Sequence, residues 1–135
     1  RGALADDPAA ENGRAIRLFG TCFDWTSGFD FAPCVFDEGA RYRVRVRVRV
    51  DAVPGQSGEA FSFGIYNYAQ RRRAFADRRV KTDEVKTSGY AWYELPAWKP
   101  ETGDRLWFAS GEFRKGQPSA VRDVWIDAIE IVRAD

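Results

Sequence analysis

The sequence predicts an all-β protein, a β-sandwich of the jelly-roll type with two antiparallel sheets and little or no helix. Three observations lead there. The segment RYRVRVRVRVD, residues 41–51, alternates arginine with valine or tyrosine at a strict two-residue period, the mark of a strand with one buried face. No segment carries a sustained helical repeat of apolar residues. Seven or eight short strand-like runs recur at intervals of about 10–15 residues, the spacing of a sandwich.

In chain order, residues 1–13 (RGALADDPAAENG) are small, acidic and polar. They read as a linker or loose N-terminal arm, leaving one domain over 14–135. RAIRLFG is the first expected strand. Cys22 and Cys34 then enclose the eleven residues FDWTSGFDFAP, which close as a disulfide loop or leave two buried thiols. A bridge would contribute about 2–3 kcal/mol and place the protein in an oxidising compartment. In the arginine strand Val44, Val46, Val48 and Val50 take the core face, so Arg43, Arg45, Arg47 and Arg49 face out. Pro54 and Gly55 end it. EAFSFGIYNYA alternates again, with Phe61, Phe63 and Ile65 opposite Ser62, Gly64 and Tyr66. One strand is expected near RRVKTDEVK, then YAWYELPAW stopped by Pro96, then DRLWFASGEF, and AVRDVWIDAIEIVRA closes the chain.

Charge excludes some functions. With 21 basic and 20 acidic residues the net charge is +1, which gives no general field for nucleic acid, and no binding motif for one is present. Histidine is absent, so the common catalytic triads and most zinc sites are unavailable. No apolar run approaches the roughly 20 residues of a membrane helix, and no membrane partner is expected. The opening without methionine reads as a piece of a longer polypeptide.

The GARY lead into a β-branched strand, the late GYAWYELPAW and the closing DVWIDAIEIV together resemble the β-jelly-roll carbohydrate-binding modules of bacterial polysaccharide-degrading enzymes, over roughly residues 14–133. That resemblance implies a non-catalytic partner for polysaccharide or oligosaccharide, attached to a catalytic domain of the same polypeptide and secreted or held at the bacterial surface. It also implies a structural calcium ion near the first strand and the aspartate of the last; Asp127, on the expected core parity, needs either that metal, with Glu11 or Asn12, or hydrogen bonds from backbone amides.

Sugar recognition needs flat rings for the apolar faces of pyranoses and polar groups for their hydroxyls. Parity places Tyr90, Trp92 and Glu94 together on the outward face of their strand, and Tyr66 outward on its own. Trp92, Tyr66 and Tyr90 are therefore expected to line one surface with the arginines, with Arg45, Arg47 and Glu94 bonding polar groups. Trp25 and Trp98 fall in expected loops and are the further candidate contacts. Trp125 shares parity with Ile129 and Ile131 and is assigned to the core; Trp107 is undecided. The arginine row itself admits a solvated face paired with Glu84, Glu94 or Glu130, a grip on an acidic glycan, or, least, nucleic acid. The expected function is a polysaccharide-targeting module, acidic polymers included. The alternative is an accessory domain that packs on a catalytic domain or partner protein without binding sugar.

Overall fold

The alternation of the arginine segment becomes β4 (Tyr42–Ala52), the central strand of one sheet. Its four valines point inward and are at most 6% exposed. The computed structural model describes residues 2–20, 27–111 and 119–134, and within them ten strands form two antiparallel five-stranded sheets. The first sheet runs β1 (Gly2–Asp6), β2 (Arg14–Phe19), β10 (Val121–Arg133), β4 and β8 (Ala91–Glu94). The second runs β3 (Ser27–Asp30), β9 (Asp104–Ser110), β5 (Glu59–Asn67) and β6 (Arg72–Arg73), with β7 (Arg78–Lys81) pairing farther along β5. This is the expected β-sandwich, and no α-helix occurs among the described residues.

The core lies between the sheets. Phe61, Phe63 and Phe108 stack at 5.1–5.9 Å between ring centres, with Tyr93 edge-on to Phe61 at 5.0 Å. They pack with the β4 valines, Leu18, Val124 and Ile126. Burial of each such side chain contributes about 1.5–3 kcal/mol, which makes this layer the main source of stability.

Three departures from the sequence reading matter for the surface. Residues 2–13 are not a loose arm: Gly2–Asp6 pairs with β2, and the Asp7 amide donates to the Gly13 carbonyl at 2.9 Å to close the turn. An edge strand can be built from small residues such as GALAD because only one side of it needs a ladder. The strand expected over RRVKTDEVK stops at Lys81, where the chain enters a 3-10 turn at Thr82–Glu84 and the Glu84 carboxylate accepts the Lys81 amide. The third departure is in β10. Ile126 pairs with Val48 and Ala128 with Arg47, so Asp127 is an extra residue, a β-bulge. Inward parity is even before it (Val124, Ile126) and odd after it (Ile129, Ile131). Trp125 is therefore on the outer face opposite Arg49, and the assignment of Trp125 to the core is corrected.

Candidate functional site

The outer face of the first sheet carries the arginine row, and its partners lie on the same face. Arg45 approaches Glu130 at 3.4 Å, Arg47 bonds Asp127, and Arg49 bonds Asp7 at 2.8 Å and Asp51 at 2.5 Å. The guanidinium groups also lie over aromatic rings. Arg45 stands 4.3 Å from the centre of Trp92, Arg47 is 4.7 Å from Tyr90, and Arg49 is 4.7 Å from Trp125. Arg17 continues the series over Trp125 at 5.6 Å and Phe19 at 5.2 Å. The result is a ladder in which rings and cations alternate across β8, β4, β10 and β2. The rings at its two ends are exposed, Trp92 at 36% and Phe19 at 37%, and Tyr90 and Trp125 between them are half-buried.

The ladder is closed electrostatically as well. The Tyr90 hydroxyl donates to Asp7 at 2.7 Å. Burial alone would raise the Asp7 carboxyl, but the bonds from Tyr90, Arg49 and the Ala9 amide outweigh it and hold Asp7 below its ordinary value. Burial and the bond to Asp7 push the Tyr90 phenol well above its own. Arg47 Nη1 and both terminal nitrogens of Arg49 are committed on this face, while Arg17 Nε, Arg45 Nε and Arg49 Nε are buried without a hydrogen-bond partner. Tyr90 is thus a structural strut rather than a contact ring, and Arg45 and Arg47 are held by their own protein. Glu94 is exposed beside Arg45 in register, yet the Arg45 ion pair is with Glu130, and Arg78 bonds the Glu94 backbone carbonyl at 2.6 Å.

Other candidates separate. Trp98 is 4% exposed and its Nε1 donates to Asp104 at 3.1 Å, while its ring packs with Phe31 at 5.5 Å and Phe36 at 6.0 Å. It plugs the end of the sandwich, so its expected ligand contact is corrected. Tyr66 is on the second sheet, across the molecule from Trp92, because strand parity assigns a face but not a sheet. Trp25 and Cys22 lie outside the described residues; Cys34 is exposed. Asp127, the expected metal ligand, is 1% exposed, and its carboxylate accepts from Arg47 and from the Glu11 amide at 3.2 Å to each oxygen. Glu11 contributes its backbone amide, a donor. A guanidinium and an amide N–H thus occupy the carboxylate where calcium would need six to eight oxygens. No group of three acidic, His or Cys side chains able to hold a metal occurs among the described residues, and the calcium expectation does not fit them.

The outer face of the second sheet differs. Trp107 on β9 stands between two glycines, Gly28 on β3 and Gly64 on β5, its direct cross-strand partners. A Cβ at residue 64 would lie 3.1 Å from Trp107 Nε1 and 2.8 Å from Asp77 Oδ1, so the indole and the carboxylate converge over the bare backbone of Gly64. Among the described residues no guanidinium lies over Trp107. Asp77 is 8% exposed; its Oδ2 accepts Arg73 Nε at 2.9 Å, while Oδ1 is buried and accepts no hydrogen bond. Leaving such an oxygen unpaired costs about 1–3 kcal/mol. Along the same face, Tyr66 is opposite Arg105, and the Tyr66 and Tyr68 rings meet edge-on at 5.0 Å. Here rings, a free acceptor and an exposed guanidinium stand together. Sequence reasoning left Trp107 undecided; its alternation with Leu106 and Phe108 gave the outward parity, but the flanking glycines become visible only through strand pairing.

No family model matches the chain, and no curated protein matches it in sequence. Solved structures do share its fold. The CBM22-1 xylan-binding domain from Paenibacillus barcinonensis Xyn10C superposes with a TM-score of 0.58 at 13% identity, over 98% of this chain and 80% of that one. The CBM22-1-GH10 modules of Clostridium thermocellum xylanase 10B, complexed with xylohexaose, give 0.56 at 14% identity over 99% of this chain and 25% of that one. Caldicellulosiruptor saccharolyticus CBM27-1, in complex with mannohexaose, gives 0.52 at 14% identity over 98% and 82%. The resemblance read from the sequence therefore holds at the level of fold.

Proposed function

We propose that this chain is a non-catalytic carbohydrate-binding module that holds an attached enzyme on a polysaccharide, and that the outer face of the second sheet is its binding face. One observation carries the reading: Trp107, flanked by Gly28 and Gly64, has no guanidinium over it and stands beside an uncommitted carboxylate oxygen, whereas the rings of the opposite face are packed with the protein's own cations. A pyranose ring presents an apolar C–H face to an indole and hydroxyls to its sides. Trp107 and Tyr66 supply the platform. Asp77 Oδ1 supplies an acceptor, reached when the Arg73 side chain, 61% exposed, shifts aside.

Stacking of this kind works on neutral sugars and is insensitive to ionic strength, since it does not depend on ion pairing. The ligand is accordingly a neutral polymer rather than an acidic one, because Arg45, Arg47 and Arg49 of the row are engaged by Glu130, Asp127, Asp7 and Asp51. The xylan-binding domain of the same fold supports the polymer class, and the xylanase in which that fold precedes a catalytic module supports the attachment and an extracellular site of action. No helix of the described residues is long and apolar enough to cross a membrane.

The test is affinity electrophoresis in gels holding neutral glucan, xylan, mannan, pectin or alginate, each at low and high salt. Retardation by a neutral polymer that survives salt and disappears in Trp107→Ala, but persists in Trp92→Ala, is the expected result. Retardation by acidic polymers alone, lost in salt, would return the site to the arginine row. No retardation by any polymer would leave an accessory packing domain.

A further inference from the structure

The binding face does not end at Tyr66. At its rim, three outward residues of the second sheet, Asp30 at the end of β3, Arg105 at the start of β9 and Tyr68 just past β5, also line a cleft of about 630 Å³. The opposite walls come from the 31–40 loop, through Phe36 and Glu38, and from the 99–103 loop, through Lys99. The volume falls within the roughly 300–1,000 Å³ typical of small-ligand sites.

From this continuity we infer that the cleft is a second sugar subsite, which takes further units of the same glycan chain whose first units stack on Trp107. The inference rests on the carbohydrate-binding reading above and extends it along β9. Tyr68 is the ring of this subsite. It is 39% exposed, with Arg105 5.7 Å from its centre. Trp107 and Arg105 are two residues apart on one strand, about 7 Å, so a chain lying along β9 passes from the indole to the cleft within one or two sugar units. Lys99 is exposed on the far wall, where its ammonium can donate to hydroxyls without needing a carboxylate on the ligand. The cleft thus reads chain length, and the face around Trp107 provides the anchor.

The experiment is titration calorimetry of the whole chain with xylo- and manno-oligosaccharides of two to six units, on the parent, Tyr68→Ala and Lys99→Ala, with melting temperatures recorded for all three. Expected for the parent is an affinity that rises about tenfold between the trimer and the hexamer, the size of one added stacking contact. In Tyr68→Ala that rise falls to under about twofold while trimer affinity is kept, and Lys99→Ala, an exposed change with no core consequence, lowers the hexamer alone. Binding that is independent of length in the parent, or a tenfold rise that persists in both variants, overturns the subsite and leaves the Trp107 face standing. Failure of every oligosaccharide and every polymer to bind removes the carbohydrate reading itself, and the subsite with it.

Discussion

Replacing Arg47 by methionine tests whether the arginine row is structural, and its cost can be worked from the bulge. Asp127 is 1% exposed, and its carboxylate is balanced by the Arg47 guanidinium, 26% exposed, and by the Glu11 amide. Removing one partner of a fully buried pair costs about 3–5 kcal/mol, because the remaining charge has no compensation. Here one amide bond remains and a quarter of the arginine is in water, so the cost is lower, roughly 2–3 kcal/mol. For a domain of this length that corresponds to a melting temperature lower by about 10 °C. Asp127→Asn removes the charge that needs the arginine, so the double variant loses less than the sum of the singles by about 1 kcal/mol or more. Urea unfolding followed by tryptophan emission gives the four free energies, and the gels above give binding for the same proteins. If Arg47→Met melts with the parent yet loses its polysaccharide, the argument for the closed face fails and the row is a binding site after all.

Two further outcomes follow from the geometry. Gly64→Ala puts a methyl 2.8 Å from Asp77 Oδ1 and 3.1 Å from Trp107 Nε1, so the indole must tilt; glycan affinity falls at least about fivefold and tryptophan emission shifts, whereas parental emission and affinity would show that nothing is tightly seated over Gly64. Asp7 titrates below its ordinary value in the folded chain, so its contribution is present above a pH of about 4 and is lost as pH falls through the lower folded value; the stability gap between parent and Asp7→Asn is therefore wide at pH 6 and closes toward pH 2, and a gap that does not change with pH would contradict the ladder.

What the sequence made legible follows from which interactions are local. β4 could be read directly, because four valines at every second position leave one orientation that buries them. β1 could not, since Gly2–Asp6 carries no apolar alternation and is held by pairing with Arg14–Leu18 across a turn. β3, four residues within the cysteine loop, is likewise set by β9. For the site, parity correctly turned Trp92, Tyr90 and Tyr66 outward but placed them on one surface, because the assignment of a strand to a sheet depends on the whole topology. Trp98 reads as a loop residue and is one; its burial comes from Phe31, Phe36 and Tyr42, which converge only in the fold. Trp125 failed for a sharper reason, a single inserted residue.

That inserted residue also explains the Arg47 ion pair on the outer face of the first sheet. Without a bulge at Asp127, β10 would keep one parity from Asp123 onward, and either Val124 and Ile126 or Ile129 and Ile131 would face water. The extra residue satisfies both apolar pairs, but at Asp127 it brings a carboxylate to a buried position that must be neutralised. Arg47 lies alongside at the right register, and Glu11 reaches it only because the N-terminal segment folds back as β1 and its turn. The same turn delivers Asp7 to Arg49 and Tyr90. Arg47 thus answers to a requirement created by the core pattern of the last strand. On the second sheet β9 pairs with β5 in unbroken register from Ser110 to Asp104, and beside that pairing Asp77 Oδ1 accepts no hydrogen bond.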